Sequence, residues 1–452
     1  MTQGLFGTDG IRGRAGTEPL TPESLERLGA VLAAQIGGGA KGERPHALLG
    51  HDGRESGETL VAALVKGLLA GGVDVDVAGL APTPCIAYLT KAGGYAAGVM
   101  VSASHNPAED NGVKLLGPDG SKLDDAAEAE LEAAFFAADP PAAAGQPGEA
   151  RRTKGMLGDY LAWLRGEAFP ELSLKGWKVA IDCANGAYSQ LGPRVLKAFG
   201  AEAVALHNKP DGRNINADCG ALHPEVIAAA VVEHGCRAGL ALDGDGDRGM
   251  LADGDGRLLD GDALLAGFGV HFASRGRLRG DSVVATVMSN LALERHLAGA
   301  GVRLIRTPVG DRYVAAAMRA GGYVLGGEKS GHVLFGSDHG YRGDGIYTFL
   351  RAAQAIVEQE TDPTQFAFGY ADLPQQLLNL HVLRRAPLDE LPALSAACAR
   401  VEARLGKAGR LVVRFSGTEL RLRLMAEAET KEQVDRAVQE LAHAAAADGI
   451  LA

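Results

Sequence analysis

Three successive stretches of this chain alternate short β-branched apolar runs with amphipathic segments, which is the pattern a parallel sheet with crossover helices requires. The first stretch predicts strands over 48–50, 73–77 and 98–101 with helices over 59–70 and 83–92. The second predicts strands over 178–181, 203–206 and 238–242 with helices over 190–199 and 225–234. The third predicts helices over 262–274, 291–298 and 312–319 with strands over 283–287, 302–305 and 323–325. Each stretch ends its last strand in a polar loop, and these loops read SASHNP, DGDGDR and GEKSGH. Ligands of open parallel sheets bind beyond the carboxyl ends of strands, so the three loops are expected to share one cleft.

The rhythm changes near Gln375, where a strand over 377–383, a helix over 391–405, strands over 411–415 and 421–426 and a helix over 432–445 suit a small α+β unit. Thr430-Lys431-Glu432-Gln433 is a capping box for that last helix. A Pro- and Ala-rich linker over 139–148 bounds the first unit. The expected fold is therefore three similar α/β domains with mixed sheets plus a C-terminal α+β domain, divided at 1–150, 151–253, 254–370 and 371–452.

Composition narrows the function classes. Net charge is −11 with no basic run, which argues against a nucleic-acid surface or an anionic membrane as partner. No apolar run approaches the ~18 residues of a membrane span, the first residues show no secretory pattern, and five scattered cysteines lack any C-x-x-C spacing. A cytoplasmic protein with reduced thiols is expected. An anionic substrate would have to be held by local arginines, lysines, backbone N–H groups or a metal.

In Asp243-Gly244-Asp245-Gly246-Asp247-Arg248, three carboxylates at alternate positions can converge on one hard divalent cation, the glycines letting the backbone curl. An EF-hand is excluded, because its sixth position would be Arg248 and its twelfth Gly254. Ser102-Ala103-Ser104-His105-Asn106-Pro107 is ambiguous alone: no G-x-S-x-G elbow accompanies it, and a Ser/Asn/Pro turn is common. Beside a metal loop it acquires meaning, since a serine hydroxyl becomes a nucleophile when a base or metal activates it. Glu328 and Ser330 offer a carboxylate and a hydroxyl of the kind that bind sugar hydroxyls. Arg414, Ser416, Gly417 and Thr418, with Arg423 following, combine guanidinium, hydroxyls and exposed backbone as a phosphate cradle does.

Taken in order, these motifs resemble the α-D-phosphohexomutase superfamily over essentially the whole chain, and Phe6-Gly7-Thr8-Asp9-Gly10-Ile11-Arg12-Gly13 resembles its amino-sugar branch. The resemblance implies a four-domain, heart-shaped enzyme that moves phosphate between the 6- and 1-positions of a hexosamine through a phosphoserine and a hexosamine 1,6-bisphosphate. It implies that Ser104 carries the phosphoryl group and that Asp243, Asp245 and Asp247 bind Mg²⁺ together with Ser104. Arg12, His105, Lys114 and Arg248 would then contact the transferring group or assist proton transfer. Glu328, Ser330 and His332 fall in the sugar-reading loop, and Thr307 and Gly310 in the third domain's other cleft loop. Arg414, Ser416, Gly417, Thr418 and Arg423 would clamp the phosphate that is not reacting. The partner is a small phosphosugar, and the protein is expected to be a monomer or homodimer.

Two positions depart from the amino-sugar pattern: Lys329 stands where glutamine is usual, and Leu420 where proline is usual. A lysine facing the sugar is expected to disfavour a protonated amine. The competing readings are the same chemistry on glucose or mannose phosphate, a metal-dependent phosphatase, and a non-catalytic cation-binding scaffold.

Overall fold

The computed structural model describes residues 4–7, 9–37, 44–139, 146–153, 155–416 and 420–452. Most of the expected linker, together with Thr8, Gly417, Thr418 and Glu419, lies outside the described residues.

Four sheets follow one another along the chain. The first has six strands, in the order Ile11–Arg14, Asp110–Leu116, Ala97–Val101, His46–His51, Asp74–Leu80, Ala150–Arg152. The second orders Leu258–Leu259, Gly249–Asp253, Ala238–Leu242, Lys178–Asp182 and Glu202–Leu206. The third orders Arg303–Thr307, Ser282–Thr286, Leu325–Gly327 and Val333–Phe335. The fourth is antiparallel, with Arg421–Glu427 between Gln375–His381 and Arg410–Phe415. The first sheet thus runs past residue 150 and the second past residue 253. In the third, the strand expected over 323–325 forms two residues later.

One device recurs in the first three sheets. A central strand with a parallel neighbour leads into a short loop and returns as an antiparallel strand: Ala97–Val101 into Asp110–Leu116, Ala238–Leu242 into Gly249–Asp253, Leu325–Gly327 into Val333–Phe335. The three polar motifs are these hairpin connections. Central strands buried on both faces read as continuous apolar runs, as Ala97–Val101 and Ala238–Leu242 do.

The cores divide unequally. One cluster runs without a break from Leu48, Met100 and Leu116 of the first sheet through Ile181 and Leu240 of the second to Val283 and Phe335 of the third and Tyr347 of the helix Gly345–Glu358. The fourth domain keeps a core of its own, built from Leu422 and Leu424 under Val401, Val438 and Leu441 of its helices Pro392–Leu405 and Lys431–Ala447. The capping box forms at the start of the latter, Thr430 Oγ1 accepting from Gln433 N at 3.3 Å and Gln433 Oε1 from Thr430 N at 3.2 Å.

Candidate active site

Ser104 lies three residues past the end of the strand Ala97–Val101 and is fully buried, with a backbone φ of 53°. A left-handed conformation costs a non-glycine residue ~1–3 kcal/mol and persists only where its surroundings impose it. Here they do. Ser104 N donates to Ser102 Oγ at 2.8 Å, and Ser102 Oγ donates to Asp52 Oδ2 at 2.6 Å. The buried Arg54, paired with Asp52 at 2.9 Å, donates to the carbonyls of Ser104, Asn106 and Asp110 at 3.0, 2.9 and 2.9 Å. Asn216 from the second domain donates to the Ser104 and Asn106 carbonyls at 2.9 and 3.1 Å. The loop is built to hold one hydroxyl in one place.

That hydroxyl faces the acidic loop: Ser104 Oγ donates to Asp243 Oδ2 at 2.5 Å, and His105 Nδ1 is 3.4 Å from it. The glycines of DGDGD have separate tasks. A Cβ on Gly244 would come within 2.6 Å of the Ser104 carbonyl, and Gly246 has a φ of 76° with the Tyr188 ring where its Cβ would be. Close approach to the serine and a left-handed turn are both reserved for glycine.

Asp243, Asp245 and Asp247 are all buried, with oxygens within 4.8 Å of one another. Lys114, also buried, donates to Asp245 Oδ2 and Asp247 Oδ2 at 2.7 Å each. The outer oxygens, Asp245 Oδ1 and Asp247 Oδ1, are buried without a hydrogen-bond partner. Unsatisfied buried carboxylate oxygens converging beside a serine suit a hard cation with oxygen ligands. Asp182, His207 and Cys219 also lie together, yet both oxygens of Asp182 are taken up, by Ala184 N at 2.9 Å and by Gly220 N and His207 Nδ1 at 3.0 Å. That cluster is a loop clamp; the aspartate triad has open valence.

Burial and the charges of Asp247 and Asp245 push the Asp243 carboxyl up to about 8. Burial alone would lower the Lys114 ammonium, but Asp245, Asp247 and Asp9 outweigh it and hold it well above its usual value. Burial, with Arg248 and Arg12 nearby, takes the His105 imidazole down to about 4, so it is neutral at pH 7. Arg248 N donates to Asp243 Oδ1 at 3.1 Å, and its guanidinium lies 4.0 Å from Asp247. Arg12 donates to the Ala103 carbonyl and Asn106 Oδ1 at 3.3 Å and pairs with Asp9, which the ammonium of Lys122 also meets. Lys122 reaches Asp311 at 2.6 Å, and His332 bridges Asp311 and Asp247 at 3.4 and 3.5 Å.

In the third domain, Glu328 Oε1 accepts from Gly310 N at 3.1 Å, Ser330 Oγ is buried without a partner, and Thr307 Oγ1 donates to the Pro308 carbonyl at 3.1 Å. Lys329 does not join them. Its ammonium pairs with Asp372 and lies 3.3 and 3.7 Å from Asp260 and Asp262, which corrects the expectation that it faces the sugar. Three carboxylates outcompete a neutral sugar for one ammonium.

In the fourth domain Arg414 and Arg423 sit directly opposite each other across two antiparallel strands. Leu422 and Leu424 alternate with Arg423 and are buried against the helices, so both arginines share the other face. The two guanidiniums are thus like charges at directly opposed positions of the sheet. Ser416 is buried beside them, its N–H donating to the Arg421 carbonyl at 2.9 Å. Gly417 and Thr418 lie outside the described residues.

Sequence reasoning missed Asp9, Asp52, Arg54, Lys122 and Asn216. His51-Asp52-Gly53-Arg54 did carry a signal, as a polar turn at the carboxyl end of a buried strand.

A fold of three strand-end hairpins and a separate two-arginine domain defines a phosphohexomutase, and phosphoglucomutase/phosphomannomutase domain families match throughout. Domain I matches residues 3–142, domain II 160–256, domain III 260–371 and the C-terminal domain 377–444. Within that class the chain belongs to the phosphoglucosamine mutase family. It is 45% identical over 446 residues to the phosphoglucosamine mutase of Cereibacter sphaeroides, covering 98% of each chain. It is 44% identical to that of an Anaeromyxobacter species, covering 97% of this chain and 94% of the relative. A phosphoglucomutase/phosphomannomutase family protein from Burkholderia thailandensis has the same fold, with a TM-score of 0.82 and 26% identity over 98% of this chain and 97% of that one. So does N-acetylphosphoglucosamine mutase of Aspergillus fumigatus in complex with GlcNAc-6P and magnesium, with a TM-score of 0.68 and 20% identity over 98% and 96%.

Proposed function

We propose that this chain interconverts glucosamine 6-phosphate and glucosamine 1-phosphate, with Ser104 carrying the phosphoryl group. The reading rests above all on the placement of Ser104, a strained, buried serine whose hydroxyl points at three converging carboxylates. The amino sugar rests on kinship with the phosphoglucosamine mutases.

Phosphorylated Ser104 passes its phosphoryl group to the free hydroxyl of the bound sugar phosphate. The P–Oγ bond breaks, a P–O bond to the sugar forms, the proton of the sugar hydroxyl ends on Ser104 Oγ, and a hexosamine 1,6-bisphosphate results. After the bisphosphate turns over in the cleft, its other phosphoryl group returns to Ser104. A Mg²⁺ held by Asp243, Asp245, Asp247 and the Ser104 oxygen would supply positive charge against the phosphoryl oxygens. Lys114 stays a cation and Arg248 a guanidinium beside the same loop, so both neutralise charge where the phosphoryl group passes. His105, neutral and 3.4 Å from Ser104 Oγ, is the group placed to exchange the hydroxyl proton. Glu328 and Ser330 read sugar hydroxyls, while Arg414 and Arg423 hold the idle phosphate. Five free cysteines favour a cytoplasmic setting.

The test is a mutase assay on glucosamine, glucose and mannose phosphates together with peptide mass spectrometry. Glucosamine phosphate should have the highest kcat/KM, phosphate should be found on Ser104, and Ser104→Ala should be inactive. Release of inorganic phosphate without isomerisation, or an active Ser104→Ala, would overturn the reading.

A further inference from the structure

The sugar-reading loop and the linker into the fourth domain meet at one ammonium. Lys329 is flanked in the loop by Glu328 and Ser330, yet its side chain pairs with Asp372, which lies between the last helix of the third domain and the strand Gln375–His381. The carboxylates around it come from different places. Asp260 caps the helix Gly261–Ser274, accepting from Ala263 N at 3.0 Å, and Asp262 accepts from Asn290 N at 2.7 Å. Asn290 in turn pairs with the linker backbone, giving Nδ2–H to the Leu373 carbonyl at 3.0 Å and accepting Leu373 N–H at 3.1 Å. Tyr370 O–H donates to Asp372 Oδ1 at 2.5 Å.

The fourth domain carries the arginine pair and shares no core with the other three. Its seam with the third domain includes Arg410 with the Ser289 carbonyl at 2.8 Å, Glu427 with Leu291 N at 3.2 Å and Gln375 with the Met288 carbonyl at 3.4 Å. Polar contacts at a seam with separate cores let a domain change its setting without exposing apolar surface. The loop backbone, by contrast, is fixed to the main body, Gly261 N donating to the Lys329 carbonyl at 3.1 Å and Gly249 N to the Gly331 carbonyl at 3.0 Å. Among these contacts Lys329 is the side chain that runs from the fixed loop to the linker.

We propose that Lys329 is a positioning residue that ties the sugar-reading loop to the linker of the fourth domain, so that Glu328 and Ser330 and the Arg414–Arg423 pair are set together. This rests on the mutase reading, in which the two sites must grip opposite ends of one bisphosphate while it turns over. A glutamine at 329 is shorter and uncharged, and cannot form the ion pairs that Lys329 makes with Asp372 and Asp260.

The experiment compares full-length wild type with Lys329→Gln, Asp372→Asn and the double variant. It measures kcat, KM, and bisphosphate released per turnover in a coupled assay. Each single variant should release roughly three- to tenfold more bisphosphate and lose a similar factor in kcat, with little change in KM. The double variant should be no worse than either single one, because both remove the same tie. Additive losses, or a lowered melting temperature with unchanged release, would overturn the proposal. Hydrogen exchange gives a readout that does not depend on the substrate. The Glu328 and Gly331 amides, bonded at 3.0 and 3.1 Å within the loop, should exchange faster in Asp372→Asn. If they do not, the tie is absent. A wild type that fails to isomerise glucosamine phosphate would instead overturn the mutase reading and leave the exchange result to decide this one.

Discussion

The two halves of the proposed site are built on opposite principles. On the serine side, Ser104, Asp243, Asp245, Asp247 and Lys114 are buried in a body whose three domains are joined by one apolar cluster, and the Lys114 ammonium is held between Asp245 and Asp247. On the clamp side, Arg414 and Arg423 stand half-buried on a small sheet with its own core. Burial and the neighbouring Arg423 lower the Arg414 guanidinium from its usual value. Phosphoryl transfer needs reacting atoms held in fixed alignment, whereas an anchor must take up and release a phosphate. The rigid half therefore owes its order to burial, and the clamp half remains charged, partly solvated and separately folded.

The largest effect should come from breaking the rigid half. Asp245→Asn removes one of three carboxylates, frees one of the contacts of the buried Lys114, and keeps the shape of the side chain. Mutase activity should fall by about two to three orders of magnitude while circular dichroism is unchanged. Chelation of divalent cations should do the same to the wild type. An Asp245→Asn variant as active as wild type would mean that the triad is not a cation site.

Breaking the clamp half should cost less. Loss of a charge-assisted hydrogen bond is worth ~1.5–3 kcal/mol, so Arg414→Ala should raise KM by roughly tenfold to a hundredfold. Both isomers should suffer alike, since one anchor serves the idle phosphate of each, and phosphorylation of Ser104 should survive. Kinetics in both directions check this. Damage confined to one isomer would place the anchor elsewhere.

Much of the rigid half was legible in the sequence because its chemistry lies in short contiguous strings. DGDGD announces converging carboxylates, and SASHNP after Val99-Met100-Val101 announces a polar strand end. What could not be read is what holds those strings together. Arg54 reaches the serine loop across 50 residues and Asn216 across 112. Neither has a local pattern to betray its partner. Lys122 likewise meets Asp311 only because the first and third domains pack together. Lys329 was misdirected for the same reason: its position in the loop is local, but its partner Asp372 is 43 residues away. The alternation of Arg421, Leu422, Arg423 and Leu424 was readable as a one-sided strand, and only the register of its neighbour shows that Arg414 and Arg423 are opposed.

The smallest expected effect lies on the seam between the halves. Burial, with the charge of Asp260 beside it, pushes the Asp262 carboxyl up to about 7. The folded chain therefore keeps a proton that the unfolded chain, with an ordinary carboxylate near ~3.9, has already released. The stability this gives is complete below about pH 4 and is lost as pH rises through about 7. At pH 8 the wild type holds a buried charge there, with Lys329 3.7 Å away. Asp262→Asn keeps an oxygen to accept from Asn290 N and carries no charge at any pH. The stability of the variant relative to wild type should rise by about 2–3 kcal/mol between pH 5 and pH 8, read as a shift in urea midpoint multiplied by the slope. Because Asp262 belongs to the shared-core body and touches the Lys329 cluster, the gain should be seen without a change in the KM effects that mark the clamp. An equal difference at both pH values would show that Asp262 is ionised in the folded protein throughout, and that Lys329 holds all three carboxylates as charges.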